Sequence, residues 1–234
     1  DPDNPVNRGS LCVKGRYGHE FVNHPDRLTT PLVRRDGRLA PATWDEALNV
    51  VAAGFAAHRG DAFALVASAK CTNEENYLLQ KLARVVMGTN NVDHCARLCH
   101  APTVTGLGQA FGGGAMTNTI GEIVGAACIL ALGTNTTKAH PLVGLRVKEA
   151  VRRGAALIVA DPRQTDLCRQ ATIHLQHKPG TDVALLMGLA RVIVEEGLYD
   201  AQFVENRTVG VAAFRQSLAF FDLDFVETVT GVPR

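Results

Sequence analysis

The fold is decided by the stretch Ala156-Leu157-Ile158-Val159-Ala160-Asp161-Pro162-Arg163, an apolar run with a polar end. A short continuous apolar run is typical of a strand buried in a parallel sheet. Further strands are predicted at 127–132, followed by Gly133-Thr134-Asn135, and at 171–176, followed by Gly180-Thr181-Asp182. In open α/β sheets, ligands bind at the carboxyl ends of the strands. The three polar ends therefore predict one ligand crevice.

Helices are predicted between these strands and before them. The apolar spacing places them at about 43–58, 72–87, 102–111, 141–153 and 181–196, with small helices near the end of the chain. Capping boxes are expected at Thr43 and Thr72. One more strand is predicted at 63–69, whereas residues 1–42 read as a loop. Strands alternating with helices indicate an α/β fold, a parallel αβα sandwich of the dinucleotide-binding type.

Composition excludes several classes of protein. The net charge is +1 without a basic tract, so a nucleic-acid surface is not expected. No apolar run approaches the ~20 residues of a membrane span, so direct membrane insertion is not expected. Six cysteines are too few for a disulfide scaffold, and Cys128, inside an apolar strand, is expected to be buried. A GxGxxG motif is absent, which disfavours an ordinary NAD site.

The polar strand ends favour an extended ligand such as a nucleotide. Asp161 or Asp182 can accept hydrogen bonds from a guanine edge or a ribose, and Arg163 can pair with a phosphate. The alternative is that these residues are only helix caps and turns, which Asp, Thr and Gly form in many proteins.

A second reactive region is His94-Cys95-Ala96-Arg97-Leu98-Cys99-His100. Thiols and imidazoles in a loop suit a soft metal, and Arg97 or His100 would favour the thiolate form of Cys99. Three alternatives remain open for this loop: a zinc site made by both Cys–His pairs, a disulfide between Cys95 and Cys99, and a structural thiol.

Several segments resemble one enzyme family. The run Leu11-Cys12-Val13-Lys14-Gly15-Arg16-Tyr17-Gly18 resembles the end of the iron–sulfur domain in molybdopterin-containing oxidoreductases. Segments 70–77, 90–104, 114–120 and 133–141 resemble the formate dehydrogenase alpha subunit specifically. The resemblance covers almost the whole chain and implies an N-terminal fragment of such a subunit.

The resemblance assigns roles to individual residues. Cys99 occupies the position of the molybdenum ligand, and His100 is the catalytic histidine beside it. Cys12 would bind a 4Fe–4S cluster, whose other three ligands are expected upstream of Asp1, and Lys14 would lie between cluster and pterin. The residues expected to bind the guanine-dinucleotide arms of two molybdopterins are Gly113, Gly114, Met116, Asn118, Gly133, Asn135, Asp161, Arg163, Gly180 and Asp182.

The resemblance to molybdopterin-containing oxidoreductases also implies the domain boundaries. Residues 1–42 would be the tail of the iron–sulfur domain with a connecting loop, and residues 43–234 an incomplete molybdopterin-binding α/β domain.

The implied activity is oxidation of formate to CO2 by a molybdenum or tungsten bis-pterin enzyme. Two electrons would pass through the pterin to the 4Fe–4S cluster and on to iron–sulfur, flavin or quinone-linked subunits or domains. The isolated fragment is expected to be inactive. A cytoplasmic location is expected, with a periplasmic one open because any upstream signal is not visible. The alternatives are another enzyme of the family, such as a nitrate reductase, a non-catalytic electron-transfer subunit of the same fold, or a plain nucleotide-binding module.

Overall fold

The computed structural model describes residues 1–5 and 7–234, which form two compact units. The first unit comprises Asp1–Tyr17 and Asn118–Arg234, and the second comprises Gly18–Thr117. The strands are β1 (Leu32–Arg35), β2 (Arg38–Pro41), β3 (Leu65–Val66), β4 (Val92–Asp93), β5 (Cys128–Leu132), β6 (Ala156–Ala160) and β7 (Ile173–Leu175). The helices are α1 (Val13–Tyr17), α2 (Trp44–Ala57), α3 (Asn73–Lys81), α4 (Ala96–Cys99), α5 (Ala101–Phe111), α6 (Thr136–Ala139), α7 (Pro141–Arg152), α8 (Asp182–Glu195), α9 (Ala201–Arg207), α10 (Val211–Leu218) and α11 (Leu223–Thr230).

The first unit contains a three-stranded parallel sheet in the order β5-β6-β7. Helices α6 and α7 connect β5 to β6, as expected for a parallel crossover. The predicted α/β fold with parallel strands is therefore confirmed. Strand β7 is shorter than predicted, covering three residues of the 171–176 run. Its register places Ile158 of β6 opposite Ile173 of β7.

The core of the first unit lies against this sheet. Leu157 and Val159, two residues apart on β6, are fully buried on one face. Val147 of α7 and Leu167, from the turn after β6, complete the cluster with Ala131. The prediction that Cys128 is buried was wrong: it is exposed, at the start of a strand that pairs only with β6 among the described residues.

The second unit contains a hairpin in a region that was predicted to be a loop. Strands β1 and β2 pair antiparallel, with Arg35 opposite Arg38. The two residues between them, Asp36 and Gly37, have φ angles of 47° and 78°. An Asp-Gly pair with two positive φ angles is the preferred two-residue hairpin turn. That dipeptide was the signal that could have predicted the hairpin.

The predicted capping boxes differ in outcome. Thr72 and Glu75 form the complete reciprocal box at α3. At α2, the Thr43 hydroxyl accepts from the Glu46 backbone N–H, but the Glu46 carboxylate pairs with Arg35 of β1 instead of closing the box.

The remaining elements of the second unit are short. Helix α3 continues as a wider π-helical segment, Leu82–Met87, and ends at the left-handed Gly88. The strand predicted at 63–69 is reduced to β3, which pairs in parallel with β4.

None of the helices in the described part of the chain has the length and apolar character of a membrane span.

Candidate functional site

Cys99 and His100 lie at the junction of two helices. The segment predicted as a loop contains β4 and α4, and Cys99 is the last residue of α4, its backbone N–H donating to the Cys95 carbonyl at 3.1 Å. Helix α5 begins one residue after His100, with Pro102 in its first turn, where proline is tolerated. Both side chains are exposed. A thiol and an imidazole are thus presented side by side.

Two of the alternatives for this segment are not supported. Cys95 and Cys99 are both free thiols. Among the described residues, no three His, Cys, Asp or Glu side chains are grouped to hold a metal ion, so the four-ligand zinc site is not assembled.

The Arg97 side chain forms an ion pair with Asp93. Its Nε donates to Oδ2 of Asp93, four residues earlier in the chain, at 2.8 Å. This hydrogen bond, with one from the His94 backbone N–H, lowers the pKa of Asp93. Arg97 is therefore paired with Asp93.

Cys12 immediately precedes α1. The backbone N–H groups of Gly15 and then Lys14 lower the pKa of the Cys12 thiol, and the Lys14 charge acts in the same direction. A thiol with a lowered pKa is suited to bind iron as the thiolate. The Lys14 side chain is exposed. Both residues belong to the first unit.

The end of β5 is joined to the end of β6. Gly133, with φ 57°, donates its N–H to the Ala160 carbonyl at 2.8 Å. The Asn135 side chain accepts from Thr137 Oγ1 at 2.9 Å. Thr136 is 8% exposed, and its hydroxyl has no hydrogen-bond partner among the described residues. A buried polar atom of this kind is expected to meet a polar ligand or a water. No sequence pattern distinguishes Thr136 from the other polar residues of this segment.

The end of β6 is organised by an ion pair. Asp161 is 1% exposed and receives the Arg163 backbone N–H at 2.8 Å and Arg163 Nε at 3.2 Å. Burial acts to raise the pKa of Asp161, but the hydrogen bonds from Arg163 outweigh it, so the pKa lies below its ordinary value. Because Asp161 is enclosed and Arg163 exposed, Arg163 is the better placed of the two to contact a phosphate.

The end of β7 leads into the first turn of α8. Gly180 has φ 80°, and Asp182 is the first residue of the helix. The Asp182 side chain is 45% exposed, and its Oδ1 accepts from Nε2 of the buried His177 at 3.1 Å. His177 was missed by the sequence analysis. It stands five residues before Asp182 in a loop, a spacing that carries no recognisable pattern.

The glycine-rich segment after α5 supplies the remaining predicted residues. A Cβ added to Gly114 would lie 2.7 Å from Val104 Cγ1, so a larger residue there would have to displace the Val104 side chain, whereas Gly113 is in open space. Met116 is 62% exposed. Asn118 donates to Glu122 Oε1 at 3.4 Å and belongs to the first unit.

The predicted site residues divide between the two units. The first unit holds the strand ends, Cys12, Lys14 and Asn118, whereas Cys99, His100, Gly113, Gly114 and Met116 belong to the second. The donors fit a thiolate-bound metal and a polar nucleotide, because they include an exposed thiol, a thiol of lowered pKa and a buried hydroxyl that has no hydrogen-bond partner in the described part of the chain.

Comparison with known proteins agrees with this donor set. The molybdopterin oxidoreductase family matches residues 27–219, and the Fe4S4 domain of molybdopterin oxidoreductases matches residues 1–24. The predicted iron–sulfur segment at the start of the chain is thus confirmed. The two matches support a molybdenum or tungsten pterin cofactor and a 4Fe–4S cluster.

Similar individual proteins are known. The chain is 47% identical to the F420-dependent formate dehydrogenase 1 subunit alpha of Methanococcus maripaludis, covering 97% of this chain and 34% of that protein. It is 44% identical to formate dehydrogenase H of Escherichia coli, covering 97% of this chain and 33% of that protein. The chain therefore spans about a third of the length of these relatives.

A solved structure is also similar. Acetylene hydratase from Pelobacter acetylenicus matches with a TM-score of 0.71 and 26% identity, over 95% of this chain and 31% of that protein. Because the family match covers most of the chain, the assignment does not depend on any one motif. The chain belongs to the molybdopterin oxidoreductase family.

Proposed function

We propose that this chain is the cofactor-binding part of a molybdenum or tungsten formate dehydrogenase that oxidises formate to CO2. The observation that carries the proposal is the 43–47% identity to three F420-dependent formate dehydrogenase alpha subunits along nearly the whole chain. The exposed Cys99-His100 pair supports it, because that pair provides a soft metal ligand next to a group able to accept a proton.

The two residues have different tasks. The Cys99 thiolate would hold the metal, and the bound metal–pterin would supply the two-electron redox chemistry that formate oxidation needs. His100 would orient formate and take up the proton that leaves as formate becomes CO2. Its position at the start of α5 fixes its backbone next to that of Cys99.

The first unit would hold the rest of the cofactor. Gly133, Asn135, Arg163, Gly180 and Asp182 would bind the guanine-dinucleotide arms, with Asp161 holding Arg163 in place. Gly113, Gly114, Met116 and Asn118 are proposed as further contacts. Cys12 would bind the 4Fe–4S cluster, and the Lys14 charge would assist electron transfer to it. Three further points stay predictions: that the partners are electron-transfer subunits or domains, that the location is cytoplasmic, and that the domain boundary lies at 42/43.

The test uses the full-length protein that carries this sequence. We expect it to contain molybdenum or tungsten and to reduce a viologen dye when given formate. Cys99→Ser is expected to abolish this activity, and His100→Ala to lower kcat by about 100-fold. Cys95→Ser is the matched control, since it removes an exposed thiol four residues earlier and should leave kcat unchanged.

Other outcomes identify the alternatives. Full formate activity without either metal would contradict the proposal. Nitrate reduction without formate oxidation would indicate another enzyme of the family. Metal-free protein without activity would indicate an electron-transfer subunit.

A further inference from the structure

His177 is a buried side chain that the proposed reaction does not use. Its side chain is 1% exposed, yet it lies in the loop between β7 and α8 rather than in the apolar core cluster. A buried imidazole is costly unless its ring nitrogens are hydrogen-bonded. Its Nε2 lies 3.1 Å from Asp182 Oδ1, and its Nδ1 lies 3.4 Å from the Leu175 carbonyl oxygen.

The direction of the contact to Asp182 follows from chemistry. A carboxylate only accepts hydrogen bonds, so Nε2 must carry the proton and donate. In the tautomer that places the proton on Nε2, Nδ1 has no proton to donate to the Leu175 carbonyl, so the contact to Asp182 is the hydrogen bond that holds the ring. The bond fixes Oδ1 of Asp182, while Oδ2 has no hydrogen-bond partner among the described residues.

The surrounding strand ends are held in a similar way. The Gln176 side chain donates to the Pro162 carbonyl at 2.8 Å, and His174 Nε2 lies 2.9 Å from the Asp161 carbonyl oxygen. On the other side, the Lys178 backbone N–H donates to the Thr230 carbonyl at 2.9 Å. The loop that carries His177 is therefore anchored on both sides. An anchored histidine can hold a half-exposed carboxylate in one orientation.

The geometry points to His177 as a positioning residue for guanine selectivity, which orients the Asp182 carboxylate toward the base. A guanine edge presents an N1–H and an exocyclic amino group, two donors that an oriented carboxylate can accept together. Loss of the His177 donor frees the carboxylate to rotate. This inference rests on the cofactor site proposed above and adds a residue that does not itself touch the ligand.

The test measures nucleotide selectivity rather than catalysis. Cofactor-free full-length protein is titrated calorimetrically with GDP and with IDP, whose base lacks the exocyclic amino group. We expect wild type to bind GDP about tenfold more tightly than IDP, the effect of one hydrogen bond to a charged group. His177→Leu should weaken GDP binding by about the same factor and change IDP binding little.

Two further variants separate positioning from simple structural damage. His177→Gln places an amide N–H near the position of Nε2 and should restore most of the GDP preference. His58→Leu removes a histidine contact to the Gly54 carbonyl in the second unit and should retain the preference.

Three results would overturn the inference: equal weakening of GDP and IDP by His177→Leu, an unchanged preference in that variant, or no preference in wild type. Failure of the proposed function looks different, because the protein would then lack formate activity whatever its nucleotide selectivity.

Discussion

The two units of this protein are stabilised in different ways. The first unit has a packed core, in which Leu157, Val159 and Leu167 are fully buried around a parallel sheet. The second unit comprises residues 18–117, all of which the structure describes. Its only buried non-glycine residues are Ala83, Met87 and Thr89. Large apolar side chains such as Trp44 and Leu98 are instead 68% and 93% exposed.

The difference bears on how the proposed site is built. Strand ends that bind a nucleotide need a rigid frame, and the first unit supplies one through its core and the bonds between its strand ends. The second unit, which presents Cys99, is held by helix caps, a hairpin and short strand pairing. We therefore expect the second unit to be the less stable of the two.

The largest expected effect is a core truncation in the first unit. Leu157→Ala should lower the free energy of unfolding by about 2–5 kcal/mol, since Leu157 is completely buried. Leu98→Ala in the second unit should cost less than about 0.5 kcal/mol, as for other exposed positions. Urea unfolding of the chain followed by circular dichroism measures both. Equal losses would contradict the contrast between the units.

Two helical glycines provide the next comparison. A Cβ on Gly144 of α7 would lie 3.2 Å from the Thr137 backbone, so Gly144→Ala should destabilise by about 1–3 kcal/mol. Gly106 of α5 has nothing within 4 Å of an added Cβ. Gly106→Ala should therefore stabilise by up to about 1 kcal/mol, because alanine favours the helix. Thermal unfolding of the two variants would show shifts of opposite sign, and a shared sign would contradict the packing described.

The smallest expected effect concerns pH. The pKa of Asp161 is lowered in the folded protein, so its contribution to stability is fully present above the ordinary aspartate pKa of about 4 and is lost as the pH falls through the lower folded value. Asp161→Asn should remove this part of the acid dependence and cost about 1 kcal/mol at neutral pH.

Asp93 is the counterpart in the second unit. Its pKa is also lowered, by Arg97, but its side chain is 46% exposed. Exposed ion pairs contribute little, so Asp93→Asn should change the acid dependence less than Asp161→Asn does. Unfolding free energies from pH 2 to 7 compare the two variants. A larger effect at Asp93 would contradict the burial difference.

Much of the first unit could be predicted from its sequence. The apolar run at β6 and its polar end follow a pattern that local chemistry determines, and the α/β fold was correct. Two predictions were wrong because they depend on tertiary contacts. The capping box at Thr43 does not close, since Glu46 pairs with Arg35 of β1, and Cys128 is exposed because of its place in the sheet. His177 could not be found, since its importance arises from one contact with Asp182 that only the folded loop creates.

The most direct test of the central claim is X-ray absorption at the molybdenum or tungsten edge of the purified full-length protein. If Cys99 is the protein ligand, wild type will show one more sulfur neighbour at the metal than Cys99→Ser, and Cys95→Ser will match wild type. Identical spectra for wild type and Cys99→Ser would contradict the account.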